Sequence, residues 1–159
     1  MGFKLNIMAI NAPYSDLEDI LDVMRVTKNG ASFEEATSVA LGNALSTTFI
    51  NGHILIFDVQ CRFFYKSKFP REVSLKYDLK MYQILETAGY MLLSDGKKTL
   101  RLTGKKDCKT ELERRNIPLK DKWGETLAWQ LLDDDIFEKQ HEGIATELWN
   151  AKFDIWELD

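Results

Sequence analysis

The sequence predicts an α+β fold, a mainly antiparallel sheet made of a hairpin and a meander, with short helices at the amino- and carboxy-terminal ends. Three observations predict it. Asn51-Gly52 and Asp95-Gly96 each stand between β-forming runs, and both dipeptides tolerate the positive φ that two-residue hairpin turns demand. Apolar residues recur with period two inside those runs and at helical spacing near both ends. The 159 residues are 45% apolar and 29% charged, enough for one core, so residues 1–159 read as a single α+β domain.

The elements follow in order. Phe3, Leu5 and Ile7 alternate with Lys4 and Asn6, which predicts a first strand over 3–10. After Pro13, Ser15-Asp16-Leu17-Glu18 has the form of a capping box, in which serine and glutamate side chains satisfy orphan backbone donors. Leu17, Ile20, Leu21 and Met24 then predict an amphipathic helix over 16–25, ended by Asn29-Gly30. A second capping box, Ser32-Phe33-Glu34-Glu35, opens a helix with Phe33, Ala36 and Ala40 on one face.

Thr47–Ile50 and His53–Phe57 form the hairpin arms. The near-continuous apolar run 54–57 predicts a central strand covered on both faces. Residues 62–80 mix aromatic and basic side chains, with Phe69-Pro70 as a break, and read as an irregular connection. The meander runs Met81–Leu85, Ala88-Gly89, Tyr90–Ser94, Asp95-Gly96 and Lys98–Leu102, its last strand half exposed with Leu100 and Leu102 on one face. The Lys-rich stretch 104–122 reads as loop with a short helical turn near Thr110–Arg115. A helix over 125–139 buries Leu127, Leu131 and Ile136, a shorter one follows over 142–150, and Phe153–Leu158 closes the chain as an edge strand.

The motifs of common catalytic sites are missing. Gly104-Lys105-Lys106 lacks the earlier glycine and the following Ser or Thr of a phosphate loop, and neither a dinucleotide fingerprint nor a nucleophile elbow occurs. His53 and His141 have no ligand partners at metal-binding spacing. Asp133-Asp134-Asp135 lacks the alternating spacing of a calcium loop, points in three directions on a helix, and reads as a solvated acidic face. Cys61 reads as a small buried hydrophobe. Cys108 sits between Asp107 and Lys109 in a setting that lowers a thiol pKa, with no partner base in sight. The chain therefore reads as non-catalytic, with no cofactor and no metal. An enzyme assembled around Cys108 or His141 is the remaining catalytic alternative.

Two cysteines are too few for a disulfide framework, no secretory signal stands at the start, and no apolar run approaches the ~18 residues of a membrane span. A cytoplasmic protein without a membrane partner is the expectation.

Charge is distributed by region. Residues 1–61 carry 3 basic and 7 acidic side chains, residues 62–123 carry 16 and 8, and residues 124–159 carry 2 and 10. Blocks of +8 and −8 either attract each other or attract partners. Arg62, Lys66, Lys68, Lys97, Lys98, Arg101, Lys105, Lys106 and Lys109, interleaved in part with Phe63, Phe64, Tyr65 and Phe69, form a candidate nucleic-acid surface. The pI near 5.3 and the acidic last quarter weigh against it.

The segments Phe33–Ser38, Asn51–Asp58, Ser94–Arg101 and the turn Asn116-Ile117-Pro118-Leu119 resemble, in order, a pattern in small bacterial cytosolic proteins of the polymorphic-toxin immunity type. Asn116 stands where that pattern has glycine. The resemblance implies a non-catalytic binder that neutralises a cognate toxin by stoichiometric contact. A basic partner such as a nuclease toxin suits an acidic surface, since opposite charge speeds encounter and aromatic anchors supply affinity. The candidate partner-binding residues are Asp133, Asp134, Asp135, Glu138 and Glu142 with Trp129, Trp149 and Trp156, and Glu147, Asp154, Glu157 and Asp159 extend the acidic block. The competing reading places these tryptophans in the core. An intracellular adaptor or structural subunit using the same surfaces is the functional alternative.

Overall fold

The computed structural model describes residues 4–41, 43–59, 68–137 and 145–158. One antiparallel sheet holds eight strands: β1 (Leu5–Ile10), β2 (Met24–Ala31), β3 (Leu45–Ile50), β4 (His53–Asp58), β5 (Leu79–Ile84), β6 (Gly89–Ser94), β7 (Lys97–Thr103) and β8 (Phe153–Leu158). Their spatial order is β2-β8-β3-β4-β1-β5-β6-β7. The fold is α+β, with both predicted hairpins in place: Ile50 pairs with His53 and Ser94 with Lys97. At the turns Asn51 and Gly52, and Asp95 and Gly96, all have positive φ, as that turn geometry requires.

The strand period sorts the core into two layers. Met8 and Ile10 of β1, Ile54 and Ile56 of β4, and Met81 of β5 face one way. Leu5, Ile7, Leu55, Phe57 and Tyr82 face the other. The first face is covered by a 3-10 turn (Tyr14–Asp16), α1 (Leu17–Ile20) and α3 (Lys68–Ser74). The second is covered by α2 (Phe33–Ala36), α4 (Gly104–Arg114), α5 (Gly124–Leu132) and α6 (Thr146–Trp149). Strand β4 is therefore buried on both faces, as its apolar run predicts. Each fully buried side chain of the size of Phe57 contributes about 1.5–3 kcal/mol. Phe57 adds an edge contact to Phe33 (6.1 Å) and a tilted one to Phe153 (5.1 Å).

Local chemistry explains where several elements begin. At α2 the predicted capping box forms: Glu35 N–H donates to Ser32 Oγ (3.2 Å) and Ser32 N–H donates to the Glu35 carboxylate (3.5 Å). Pro70 lies in the first turn of α3, where a missing N–H costs nothing. At the start of α5, Gly124 lies so close to the Glu86 carbonyl that a Cβ there would stand 1.9 Å from that oxygen. Only glycine fits this approach of helix to turn.

Several expectations are corrected. The helix expected over 16–25 is the short α1, which has no side-chain cap at its start, and Met24–Ala31 is a strand rather than a helix end and a turn. Its interior residues Arg25–Gly30 are exposed, so β2 shows no alternation, and backbone pairing to β8 holds it. Strand β8 is not an edge; it lies between β2 and β3. The edges are β2 and β7, and the exposed lysines of β7 disfavour pairing with another chain. Within 62–80, residues 68–74 form a helix, and the expected loop at 104–122 opens with the 11-residue α4. That helix buries only Cys108, Glu111 and Leu112, too narrow a stripe to stand out as a helical period.

Candidate functional site

Two acidic regions have different surroundings. The first is the triad Asp133–Asp135, which lies in a π-type turn (Asp133–Phe137) that continues α5. The widened turn aims the three carboxylates differently. Asp133 is 1% exposed, inside the protein. Asp134 and Asp135 reach Arg115, which closes α4, and both accept from its Nη1 at 3.0 Å. Arg115 Nε donates to Glu111 at 2.7 Å, and Arg114 holds the same Glu111 through two bonds. The guanidinium also lies over the Tyr90 ring, 5.5 Å from its centroid.

Two buried tyrosines complete the cluster. Tyr82 and Tyr90 both donate to Asp135 Oδ2, at 2.6 and 2.8 Å. Burial pushes both phenols well above their usual range, and the Asp135 charge pushes the same way. Hydrogen bonding from Arg114, then from Arg115, holds the Glu111 carboxyl below its usual value. The +8 and −8 blocks thus meet inside the fold at Arg115. The cluster locks α4 and the π turn onto β5 and β6, with Asp135 bound on both its oxygens. Its chemistry is structural.

The expected binding tryptophans separate in the same way. Trp129 and Trp156 are each 4% exposed and belong to the core. Trp156 Nε1 donates to Thr47 Oγ1 (2.9 Å), and Tyr14 donates to Asp154 (2.6 Å), so Asp154 is also engaged internally. Trp149 is 50% exposed and lies against Phe33, ring centroids 5.0 Å apart. Glu147 and Glu157 are exposed. A partner approaching the carboxy-terminal block therefore meets Trp149, Glu147 and part of Asp134, not Asp133, Trp129 or Trp156. Glu138, Glu142 and Asp159 lie outside the described residues.

The second acidic region is one that the sequence reading passed over. Between α1 and α3 an open groove of about 410 Å³ runs across the first face of the sheet, a size that suits a bound side chain or small ligand. Leu21, Met24, Leu45 and Val73 line it with apolar surface, flanked by Ile20 and Phe69. Asp19 and Asp22 stand on one side and Glu72 on the other, with Lys76 the one cation among the described lining residues. Tyr77, also in the lining, donates to Asp16 at 2.7 Å and ties the two walls together. Val23 at the rim is 65% exposed. Helical periodicity could not find this site, because its walls come from residues 19–24 and 69–77, which only the sheet topology brings together.

Lys97, Lys98, Arg101, Lys105 and Lys106 are all exposed along β7 and the start of α4, and Lys68 is exposed on α3. Lys109 pairs with Glu113 at 4.0 Å. Arg62 and Lys66, like Phe63, Phe64, Tyr65, Cys61 and His141, lie outside the described residues. Of the interleaved aromatics only Phe69 is among the described residues, and it is half-buried on α3 beside the groove.

Cys108 corrects an expectation. It lies on α4 with its thiol buried, pushed up to about 12 by desolvation and by the Asp107 and Glu111 charges. Such a thiol is inert as a nucleophile. His53 is half-buried at the start of β4, its Nδ1 3.0 Å from the Asn51 carbonyl oxygen. A small open cleft of about 300 Å³ gathers His53, Asn11, Asp78, Lys80 and Ser94 at one end of the sheet, and within it Ser94 donates to Asp78 at 2.7 Å. Among the described residues no three His, Cys, Asp or Glu side chains gather as a metal ion would need, and no helix is long and apolar enough to cross a membrane.

No family model matches the chain, and neither a curated protein nor a solved structure matches it.

Proposed function

We propose that the chain is a non-catalytic protein-binding module, an immunity protein that neutralises a cognate bacterial toxin in the cytoplasm by stoichiometric contact. The observation that carries this reading is the open apolar groove between α1 and α3 with acidic residues on both walls. An apolar floor supplies contact energy, and unlike charge at the rim speeds encounter with a basic partner. The resemblance of the hairpin, meander and 116–119 turn to immunity proteins supports the same reading. A basic enzyme such as a nuclease is the partner that this surface suits.

The test is affinity capture by the tagged full chain from its host lysate, followed by assay of the captured protein. One basic protein retained at near-equal stoichiometry, and inactive until the chain is removed, is the expected result. A captured protein whose activity is unchanged by the chain would favour the adaptor reading instead. The exposed lysines of β7 and α4 favour a second reading, contact with a polyanion; retention on heparin that falls steeply with salt would support it.

A further inference from the structure

We infer that the groove between α1 and α3 takes an apolar side chain carried on a cationic segment of the partner protein. The inference rests on the protein-binding reading and names the chemistry of its contact.

Shape supplies the first part. The floor is made by Leu21 just after α1, Met24 of β2, Leu45 of β3 and Val73 of α3, which leave about 410 Å³ of open space between them. A space of that size, apolar below and open above, fits the anchoring residue of a protein interface. Val23, at the rim, extends the apolar surface outward.

Charge supplies the second part. Among the described residues the lining holds three carboxylates, Asp19, Asp22 and Glu72, against one cation, Lys76. Arg71 is not among the described lining residues, and its Cγ lies beside Gly96 in the β6–β7 turn. The other large group of carboxylates is already compensated by Arg114 and Arg115. The groove is thus where an incoming Lys or Arg finds attraction next to apolar surface. A neutral apolar segment would desolvate the carboxylates without replacement, and an acidic one would be repelled.

The experiment titrates the isotope-labelled full chain, by nuclear magnetic resonance, with three synthetic peptides of equal length: one of Lys and Trp, one of Lys and Ser, and one of Glu and Trp. The expected result is saturable shifts at Ile20, Met24, Leu45 and Val73 with the Lys/Trp peptide alone. Binding should weaken about tenfold or more in a variant carrying Asp22→Lys and Glu72→Lys, surface changes that leave the fold in place. Shifts centred elsewhere, equal binding of the Lys/Ser or Glu/Trp peptide, or no shift at all would overturn the inference. So would a dimer in sedimentation that Val23→Asp dissociates, which would assign the groove to a second copy of the chain. If the double variant still captures and silences the toxin, the groove assignment falls while the protein-binding reading stands. If the wild-type chain binds the Lys/Trp peptide in the groove but silences no captured protein, the toxin reading falls instead.

Discussion

The two acidic regions differ in what surrounds them. Asp134 and Asp135 sit against Arg115, and Asp135 also accepts from two buried tyrosines. Asp19, Asp22 and Glu72 stand around open apolar surface with one lysine among the described lining residues. The first group is the denser run in sequence and looks like the stronger attractor of a partner. Folding reverses the ranking, because Asp134 and Asp135 are matched by Arg115 and Asp133 is buried, while those around the groove are separated in the chain. A charge run measures what the chain carries; the field outside depends on which counter-charges the topology delivers to it.

The largest expected effect breaks the first region. Replacing Arg115 with Met leaves Asp135 without its counter-charge in a mostly buried setting and Glu111 with Arg114 alone, and should cost about 3–5 kcal/mol in urea unfolding. A loss under about 1 kcal/mol, the size of an exposed pair, would show that the cluster is not the lock described here.

A smaller loss is expected from Tyr82→Phe. It removes one of the two phenol donors to Asp135 Oδ2 and leaves a buried carboxylate under-satisfied, a change of about 1–3 kcal/mol. Combined with Arg115→Met, the two losses should fail to add, since both act on Asp135.

Alkaline pH addresses the same cluster without mutation. Burial raises the phenols of Tyr82 and Tyr90 in the folded chain, so their stabilisation is complete below the unfolded tyrosine value of about 10 and fades as pH climbs above it. The melting temperature should fall as pH rises above about 10, less so in a Tyr82→Phe variant. On the acid side the lowered Glu111 carboxyl contributes above the unfolded value of about 4.3, and that contribution disappears as pH drops through the folded value.

The smallest stability effect belongs to the second region. Asp19→Lys with Asp22→Lys should change unfolding free energy by no more than about 0.5 kcal/mol. The same change should slow association with a basic partner and flatten its salt dependence. A large stability loss would mean that these carboxylates are engaged in the fold as Asp135 is.

Much of the fold was legible because short-range chemistry encodes it. Asn51-Gly52 and Asp95-Gly96 fix two hairpins, and the Ser32–Glu35 box caps α2 as its residues predict. Elements held by long-range contact were not legible. Strand β2 has exposed residues throughout its middle and exists because β8, more than a hundred residues later, pairs with it. Helix α4 buries three side chains, one of them the charged Glu111 that Arg114 and Arg115 hold. The placement of the acidic residues was not legible. The carboxy-terminal run meets Arg115, while Asp22 and Glu72, far apart in the chain, both line the groove.

The central claim, that the groove and not the Asp133–Asp135 turn presents negative charge to a partner, is tested most directly by association rates. The Lys/Trp peptide would be mixed with the wild-type chain, with Asp134→Asn, and with Asp19→Lys plus Asp22→Lys, each at two ionic strengths. The expected result is a rate close to wild type for Asp134→Asn and a rate about tenfold lower, with little salt dependence, for the groove variant. Loss of steering in Asp134→Asn with none in the groove variant would contradict the claim and return the binding surface to the carboxy-terminal block.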